Sequence, residues 1–63
     1  MNHNDFQKRL RRLPNEALHY IVRDCQEALD ANPDTPKASD YLDQQHYCRM
    51  ELAKRIRKAR KAA

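Results

Sequence analysis

The segment Asn32-Pro33-Asp34-Thr35-Pro36 constrains the fold of this chain more than any other. Pro33 ends a helix that approaches it from the N-terminal side, because proline lacks the amide hydrogen that a helix interior needs. Thr35 followed by Pro36 is typical of a helix start, with a capping hydroxyl and a proline at the first helical position. A break of about three to four residues makes its flanking helices antiparallel neighbours. The sequence therefore predicts a turn at 32–35 between two antiparallel helices.

Apolar side chains recur at helical spacing on both sides of this break. The upstream set predicts a helix over residues 14–31, with Pro14 in its first turn; its members are Leu18, Ile21, Val22, Cys25, Ala28 and Leu29. The downstream set predicts a helix over residues 36–61 with a broad apolar face; its members are Ala38, Tyr41, Leu42, Cys48, Leu52, Ala53, Ile56 and Ala59. Gln45 and Arg49 lie near the centre of that face. Either a shallow seam tolerates them, or they form a buried polar contact that sets register or partner choice.

The N-terminal residues fit a short extra helix. Phe6, Leu10 and Leu13 share one helical face, and Asn4 with Gln7 forms a weak capping box. Residues 1–5 are expected to fray. Glycine is absent and β-branched residues are scarce, which favours helices over strands. We therefore predict an all-α chain, a single small domain over residues 1–63 built as an antiparallel two-helix hairpin with room for this extra helix.

A turn at residues 33–34 fixes the expected register, in which facing residue numbers sum to about 67. The predicted pairs are Leu29 with Ala38, Cys25 with Leu42, Val22 with Gln45, and Leu18 with Arg49. Cys25 and Cys48 are then offset by about six residues, or ~9 Å. Since a disulfide needs Cα atoms within ~7 Å, we expect no bridge between them. Because the sequence shows no secretory signal and no apolar span, we expect both thiols to be reduced, as in a cytoplasmic protein.

Charge is segregated along the sequence. The net charge is +4, yet residues 1–12 carry four basic and one acidic side chain, and residues 13–51 carry three basic and eight acidic ones. Residues 52–63 carry six basic side chains and no acidic one. In the predicted register residues 8–12 lie beside residues 55–59. The two basic clusters therefore converge at one end of the hairpin, and the acidic side chains lie towards the turn.

Signatures of enzymes and of metal or cofactor sites are missing. A thiol and imidazole pair can be imagined from Cys25 or Cys48 with His19 or His46, but two facing helices provide neither a cleft nor oxyanion donors. His46 and Cys48 are two residues apart and point in different directions on a helix, which does not suit zinc. We predict a protein that is not an enzyme and has no cofactor and no metal.

Two basic clusters raise the alternative of nucleic-acid binding. The candidate residues are Lys8, Arg9, Arg11, Arg12, Lys54, Arg55, Arg57, Lys58, Arg60 and Lys61. Cations at a helix C-terminus also complement the helix dipole, so a merely solvated tail explains the second cluster equally well. No helix-turn-helix pattern is evident, and aromatic residues do not interleave the clusters. Binding to a membrane surface is disfavoured because Ile56 and Ala59 offer little to insert.

Binding to another protein is the primary prediction. The candidate contacts are Tyr20, Gln45, Tyr47, Arg49 and Met50. Tyr20, Tyr47 and Met50 are expected outside the core faces, and Tyr and Met are favoured at protein interfaces, although scattered exposed apolar residues are normal. Two short helices scarcely stabilise themselves, so self-association into a four-helix dimer is a further solution.

The chain resembles the short early helical-hairpin proteins of lambdoid bacteriophages that are encoded between the exonuclease and excisionase genes. The likeness runs through Met1-Asn2-His3-Asn4-Asp5-Phe6, Leu13-Pro14-Asn15-Glu16-Ala17-Leu18 and Arg55-Ile56-Arg57-Lys58-Ala59-Arg60. It implies an accessory protein made early in the bacterial cytoplasm, which influences prophage induction, the choice between lysis and lysogeny, or the host cell cycle. The family has no catalytic or ligand motif to carry over.

Overall fold

The computed structural model describes residues 2–62, which form three helices. These are α1 at His3–Arg11, α2 at Asn15–Ala31 and α3 at Ala38–Ala62. No strand occurs among these residues, so the all-α prediction is confirmed. The layout is one of three helices rather than a bare two-helix hairpin, because α1 supplies a core residue, Leu10. No helix in this part of the chain has the length and apolarity that crossing a bilayer requires.

Helix α1 begins earlier than the sequence suggested. Asn2 is its N-cap, and the Asn2 side chain accepts a hydrogen bond from the Asp5 amide at 3.2 Å. The cap predicted at Asn4 is wrong, because an asparagine two residues earlier satisfies the orphan amides of the first turn. Residues 3–5 therefore belong to the helix, contrary to the expectation that residues 1–5 fray; Met1 lies outside the described residues.

Helix α3 begins later in the chain than the sequence suggested. Thr35 caps a turn rather than the helix itself, since its Oγ1 accepts from the Lys37 amide at 3.3 Å. Its carbonyl oxygen accepts from the Ala38 amide at 3.0 Å, which forms a separate turn at residues 36–37 before the helix. Helix α3 thus begins at Ala38 rather than at Pro36. Helix α2 begins at Asn15, with Pro14 as its cap rather than its first residue.

The inward face of α3 differs from the predicted apolar face. Residues at alternating intervals of three and four are buried or half-buried and form a heptad seam; they are Ala38, Tyr41, Gln45, Cys48, Leu52 and Arg55. Leu42 and Ile56, which were expected in this seam, are 56% and 55% exposed. Arg49 is also exposed, so its predicted place near the centre and its pairing with Leu18 are wrong. Helix α1 packs on the flank of α3 that carries Tyr47. Leu42 and Ile56 lie on another flank of α3 and face solvent.

A small core joins the three helices. Leu10 from α1, Leu18 from α2 and Cys48 from α3 form its centre, with exposed fractions of 1% or less. Phe6 and Leu13 pack against this centre, which confirms the apolar face predicted for α1. Cys25 is the other buried hydrophobic residue in the described part of the chain. So few buried side chains are in line with a core that supplies only about 3–5 kcal/mol.

Gln45 sets the register between α2 and α3. Its side chain is 2% exposed, and its Nε2 donates to the Val22 carbonyl oxygen at 3.0 Å and to the Gln26 Oε1 at 3.2 Å. The predicted pairing of Val22 with Gln45 is thus confirmed, as is the interpretation of Gln45 as a buried polar contact. The predicted pairing of Cys25 with Leu42 is wrong, because Leu42 is exposed and the Cys25 thiol lies 3.7 Å from the Gln44 Oε1.

Replacing Gln45 by alanine should lower the free energy of unfolding by about 1–2 kcal/mol, because two hydrogen bonds of a buried amide are lost. Gln26→Ala is the matched control, since it removes only one of these two bonds, together with an exposed bond from the Gln26 Nε2 to the Asp30 Oδ1. Urea denaturation followed by circular dichroism measures both variants. Equal destabilisation by the two substitutions would show that the Val22 bond contributes nothing to the register.

Candidate binding groove at the basic end

Arg55 connects all three helices through its guanidinium group. Its Nη2 donates to the carbonyl oxygens of Leu10 at 3.0 Å and Arg11 at 3.4 Å, in the last turn of α1. Its Nη1 donates to the Asn15 Oδ1 at 2.8 Å, at the first residue of α2. Its Nε donates to the Glu51 carboxylate at 3.3 Å within α3. A cation at the C-terminal carbonyls of α1 also complements the dipole of that helix.

This arrangement confirms that residues 8–12 lie beside the start of the second basic cluster. It also removes Arg55 from the candidates for nucleic-acid contact. The Arg55 side chain is 25% exposed and its donors are engaged by the protein, so a phosphate would have to displace internal partners. The remaining candidates are exposed; they are Lys8, Arg9, Arg11, Arg12, Lys54, Arg57, Lys58, Arg60 and Lys61.

Tyr47 anchors the other end of α1. Its ring lies 5.4 Å from the His3 ring and 6.2 Å from the Phe6 ring between centroids, and 5.6 Å from the His46 ring. The prediction that Tyr47 lies outside the core is wrong, because α1 covers it and leaves it half-buried. The His3 and Tyr47 rings meet edge to face. Edge-to-face aromatic pairs stabilise a fold by about 0.5–1.5 kcal/mol beyond the burial of their surface.

Between α1 and α3 lies a groove, which we term the basic groove. Its volume is about 200 Å³, and it is lined by Gln7, Leu10, Arg11, Tyr47, Met50, Glu51, Lys54 and Arg57. Leu10, Tyr47 and Met50 provide apolar surface. Three cations stand among them, whereas the one carboxylate, Glu51, is already paired with Arg55 at 3.3 Å. The groove therefore combines an apolar lining with an excess of positive charge.

Of the five predicted partner contacts, the structure brings two together. Tyr47 and Met50 line the basic groove, and Met50 is 54% exposed. Tyr20 is 60% exposed on α2, away from the groove, with the Arg23 guanidinium carbon 5.7 Å from its ring centroid. Arg49 is exposed elsewhere on α3. Gln45 is wrong as a partner contact, because it is buried and its amide is bonded to α2.

Sequence reasoning missed the contribution of α1 to the groove. Gln7 and Leu10 line it, although neither was a candidate for partner binding. The apolar face of α1 was visible in the sequence, but the element against which it docks was not. The spacing of Tyr47, Glu51 and Lys54 at intervals of four and three is the signal that could have revealed a second contact flank on α3.

The two cysteines are buried free thiols. Burial raises the pKa of the Cys48 thiol from its ordinary value of 9.0 to about 11, and the neighbouring Cys25 adds to this effect. Burial also raises the pKa of Cys25, with Asp24 contributing. The thiolate is the nucleophile in cysteine chemistry, so both thiols are held in their unreactive form at neutral pH.

Replacing Arg55 by alanine should lower the free energy of unfolding by about 2–3 kcal/mol, because hydrogen bonds to a charged group are lost at three helices. Arg57→Ala, which removes the same charge from an exposed position of the same helix, should change it by less than about 0.5 kcal/mol. Arg55→Lys should recover little of the stability lost in Arg55→Ala, since an ammonium group cannot reproduce the planar fork of hydrogen-bond donors. Equal stability of the Arg55 and Arg57 variants in urea would contradict this account.

Comparisons with protein-family models, with curated proteins and with solved structures found no match for this chain. The basic groove brings together side chains of α1 and α3.

Proposed function

We propose that the chain is a non-enzymatic interaction module that binds an acidic, partly apolar segment of another protein in the basic groove. The observation that carries the proposal is the lining of the groove, in which Arg11, Lys54 and Arg57 surround Tyr47 and Met50. Complementary charge steers association and fixes orientation. The apolar side chains give a matching side chain of the partner a place to be buried.

The apolar part of the groove favours a protein ligand over a nucleic-acid backbone. Met50 is 54% exposed at its rim, and a flexible thioether adapts to apolar side chains of varied shape. Phosphates and sugars present no comparable apolar group, whereas an amphipathic helix presents carboxylates on one face and Leu or Phe on the other. An acidic amphipathic helix is therefore the partner element that the groove suits best.

The resemblance to early proteins of lambdoid bacteriophages suggests a biological setting for this binding. In that setting the chain would act in the bacterial cytoplasm, on a host or phage protein that controls prophage induction, the choice between lysis and lysogeny, or the host cell cycle. The proposal treats α2 and α3 as an antiparallel hairpin scaffold, on which α1 completes the surface. Binding would alter the activity of the partner, and the chain itself would catalyse nothing.

A second candidate function is nucleic-acid binding. It is favoured by the placement of the exposed cations of α1 beside those of α3, which Arg55 enforces through its bonds to Leu10 and Arg11. Lys and Arg side chains that neutralise phosphates release counterions, so the affinity would fall steeply with salt. Duplex DNA is therefore a necessary arm of any binding experiment.

Binding of a fluorescein-labelled synthetic helix with a glutamate-rich face and a leucine-rich face tests the proposal. Arg57→Glu should weaken binding by about tenfold or more, or ~1.4 kcal/mol, because it reverses a charge inside the groove. Arg60→Glu is the matched control, since it changes the net charge of α3 equally from an exposed position outside the groove. Met50→Ala should also weaken binding, through the loss of apolar contact.

The same variants separate the two candidate functions. If a labelled DNA duplex binds across a salt series, and if Arg57→Glu and Arg60→Glu weaken it alike while Met50→Ala does not, the nucleic-acid function is supported. If the acidic helix fails to bind, or if the two charge reversals reduce its affinity equally, the groove is not its site. A control helix with glutamine in place of glutamate measures the electrostatic part of the affinity.

A further inference from the structure

The flank of α3 opposite to its α1 contacts carries an exposed strip that the monomer does not use. We term it the outer strip, defined by Leu42, Arg49, Ala53 and Ile56. These residues are separated by intervals of seven, four and three, so they lie on one face of the helix. Leu42 and Ile56 are 56% and 55% exposed, and Arg49 and Ala53 are exposed as well. None of the four lines the basic groove.

Helix α2 extends this surface on one side. Gln45 lies three residues after Leu42 and four before Arg49, so it adjoins the strip by helical spacing, and its amide is bonded to Gln26 of α2. Gln26 is itself exposed, so the contact between α2 and α3 reaches the surface beside Gln45. A face made of two adjacent helices is the element that pairs with its like in a four-helix arrangement.

The strip is long but narrow. Leu42 and Ile56 are fourteen residues apart, or about 21 Å at 1.5 Å per residue. A specific interface buries roughly 800 Å² per partner, which is about a sixth of the 5087 Å² surface of this chain. Four side chains are too few for this area, so an interface of that size has to include the neighbouring flank of α2.

The charge distribution decides which partner fits and in which direction. Four carboxylates lie near the turn between α2 and α3, on Asp30, Asp34, Asp40 and Asp43, and the cations lie at the opposite end. The molecule is 44 Å long, far more than the Debye length of ~8 Å at physiological salt, so the two ends act as separate charges. A second copy in antiparallel orientation places each acidic end against a basic end, and a parallel copy would place like charges together.

We propose that the outer strip is the interface of an antiparallel homodimer, whose two-fold axis passes close to Arg49. Arg49 lies seven residues from both Leu42 and Ile56, so this axis sets Leu42 of one copy against Ile56 of the other. The two Arg49 side chains then meet at the axis, with their methylene stems over the strip and their guanidinium groups at its edge. Their mutual repulsion moderates the affinity. The basic groove stays open on the other side of α3 in each copy.

Sedimentation equilibrium of the full chain over a concentration series tests this proposal. The natural chain should dimerise, and Leu42→Arg should weaken the dimer by roughly tenfold to a hundredfold, because an apolar contact is lost twice by symmetry. Met50→Arg is the matched control, since Met50 is equally exposed on α3 but lies outside the strip. Arg49→Leu should tighten the dimer, because it removes the like charges at the axis. Circular dichroism of each variant verifies that it remains helical.

A natural chain that stays monomeric throughout the series would overturn the proposal, as would a dimer that Leu42→Arg leaves intact. Loss of the dimer in Met50→Arg with retention in Leu42→Arg would place the interface in the basic groove and contradict the assignment. Added sodium chloride should weaken the dimer of the Arg49→Leu variant, in which the like charges at the axis are gone and the opposite charges of the two ends remain. An Arg49→Leu dimer that salt strengthens would contradict the antiparallel orientation.

Discussion

The guanidinium group of Arg55 is the contact on which the arrangement of the three helices depends. It reaches two carbonyl oxygens at the end of α1, the side-chain oxygen of Asn15 at the start of α2, and the carboxylate of Glu51. The carbonyl oxygens at a helix C-terminus lack intrahelical hydrogen-bond donors, and the guanidinium group of Arg55 supplies donors to two of them. With its side chain 25% exposed, Arg55 keeps some contact with water, which limits the cost of placing a charge between helices.

Arg55 can reach both α1 and α2 because it lies in the heptad seam of α3. The same seam carries Gln45, which fixes α2 against α3, and Cys48, which lies in the core with Leu10 and Leu18. The centre of the core thus lies between two polar contacts of the seam, one at Gln45 and the other at Arg55. A chain with so small a core depends on such directional bonds for a unique register.

Helix α2 and its pairing with Gln45 could be predicted because they rest on strong local signals. A proline bounds the helix, its apolar spacing is regular, and a short turn leaves little freedom of register. The inward face of α3 could not be predicted in the same way, because its apolar residues cover a wide arc. Leu42 and Ile56 are more apolar than Gln45 and Arg55, yet the latter face inward. In this orientation Gln45 and Arg55 find hydrogen-bond partners on α1 and α2, and those partners are not visible in the sequence of α3.

The docking of α1 was the other unpredictable step, and it determines the candidate site. The spacing of Phe6 and Leu10 predicts an apolar face on α1, but the sequence does not show that this face covers Tyr47. Once α1 is in place, α3 has two different surfaces. One combines cations with Met50 in the basic groove, and the other presents Leu42 and Ile56 to solvent. The docking of α1 thereby leaves α3 with two separate surfaces, for which we propose an acidic partner and a second copy of the chain.

The basic groove exists only while α1 is fixed against α3, and nuclear Overhauser effects between aromatic ring protons measure this contact in solution. The rings of Phe6 and Tyr47 have centroids 6.2 Å apart, and those of His3 and Tyr47 are 5.4 Å apart. We expect cross-peaks between both pairs at neutral pH, together with helical carbon shifts through residues 3–11. Random-coil shifts in α1 and the absence of these cross-peaks would contradict the docked helix, and with it the basic groove.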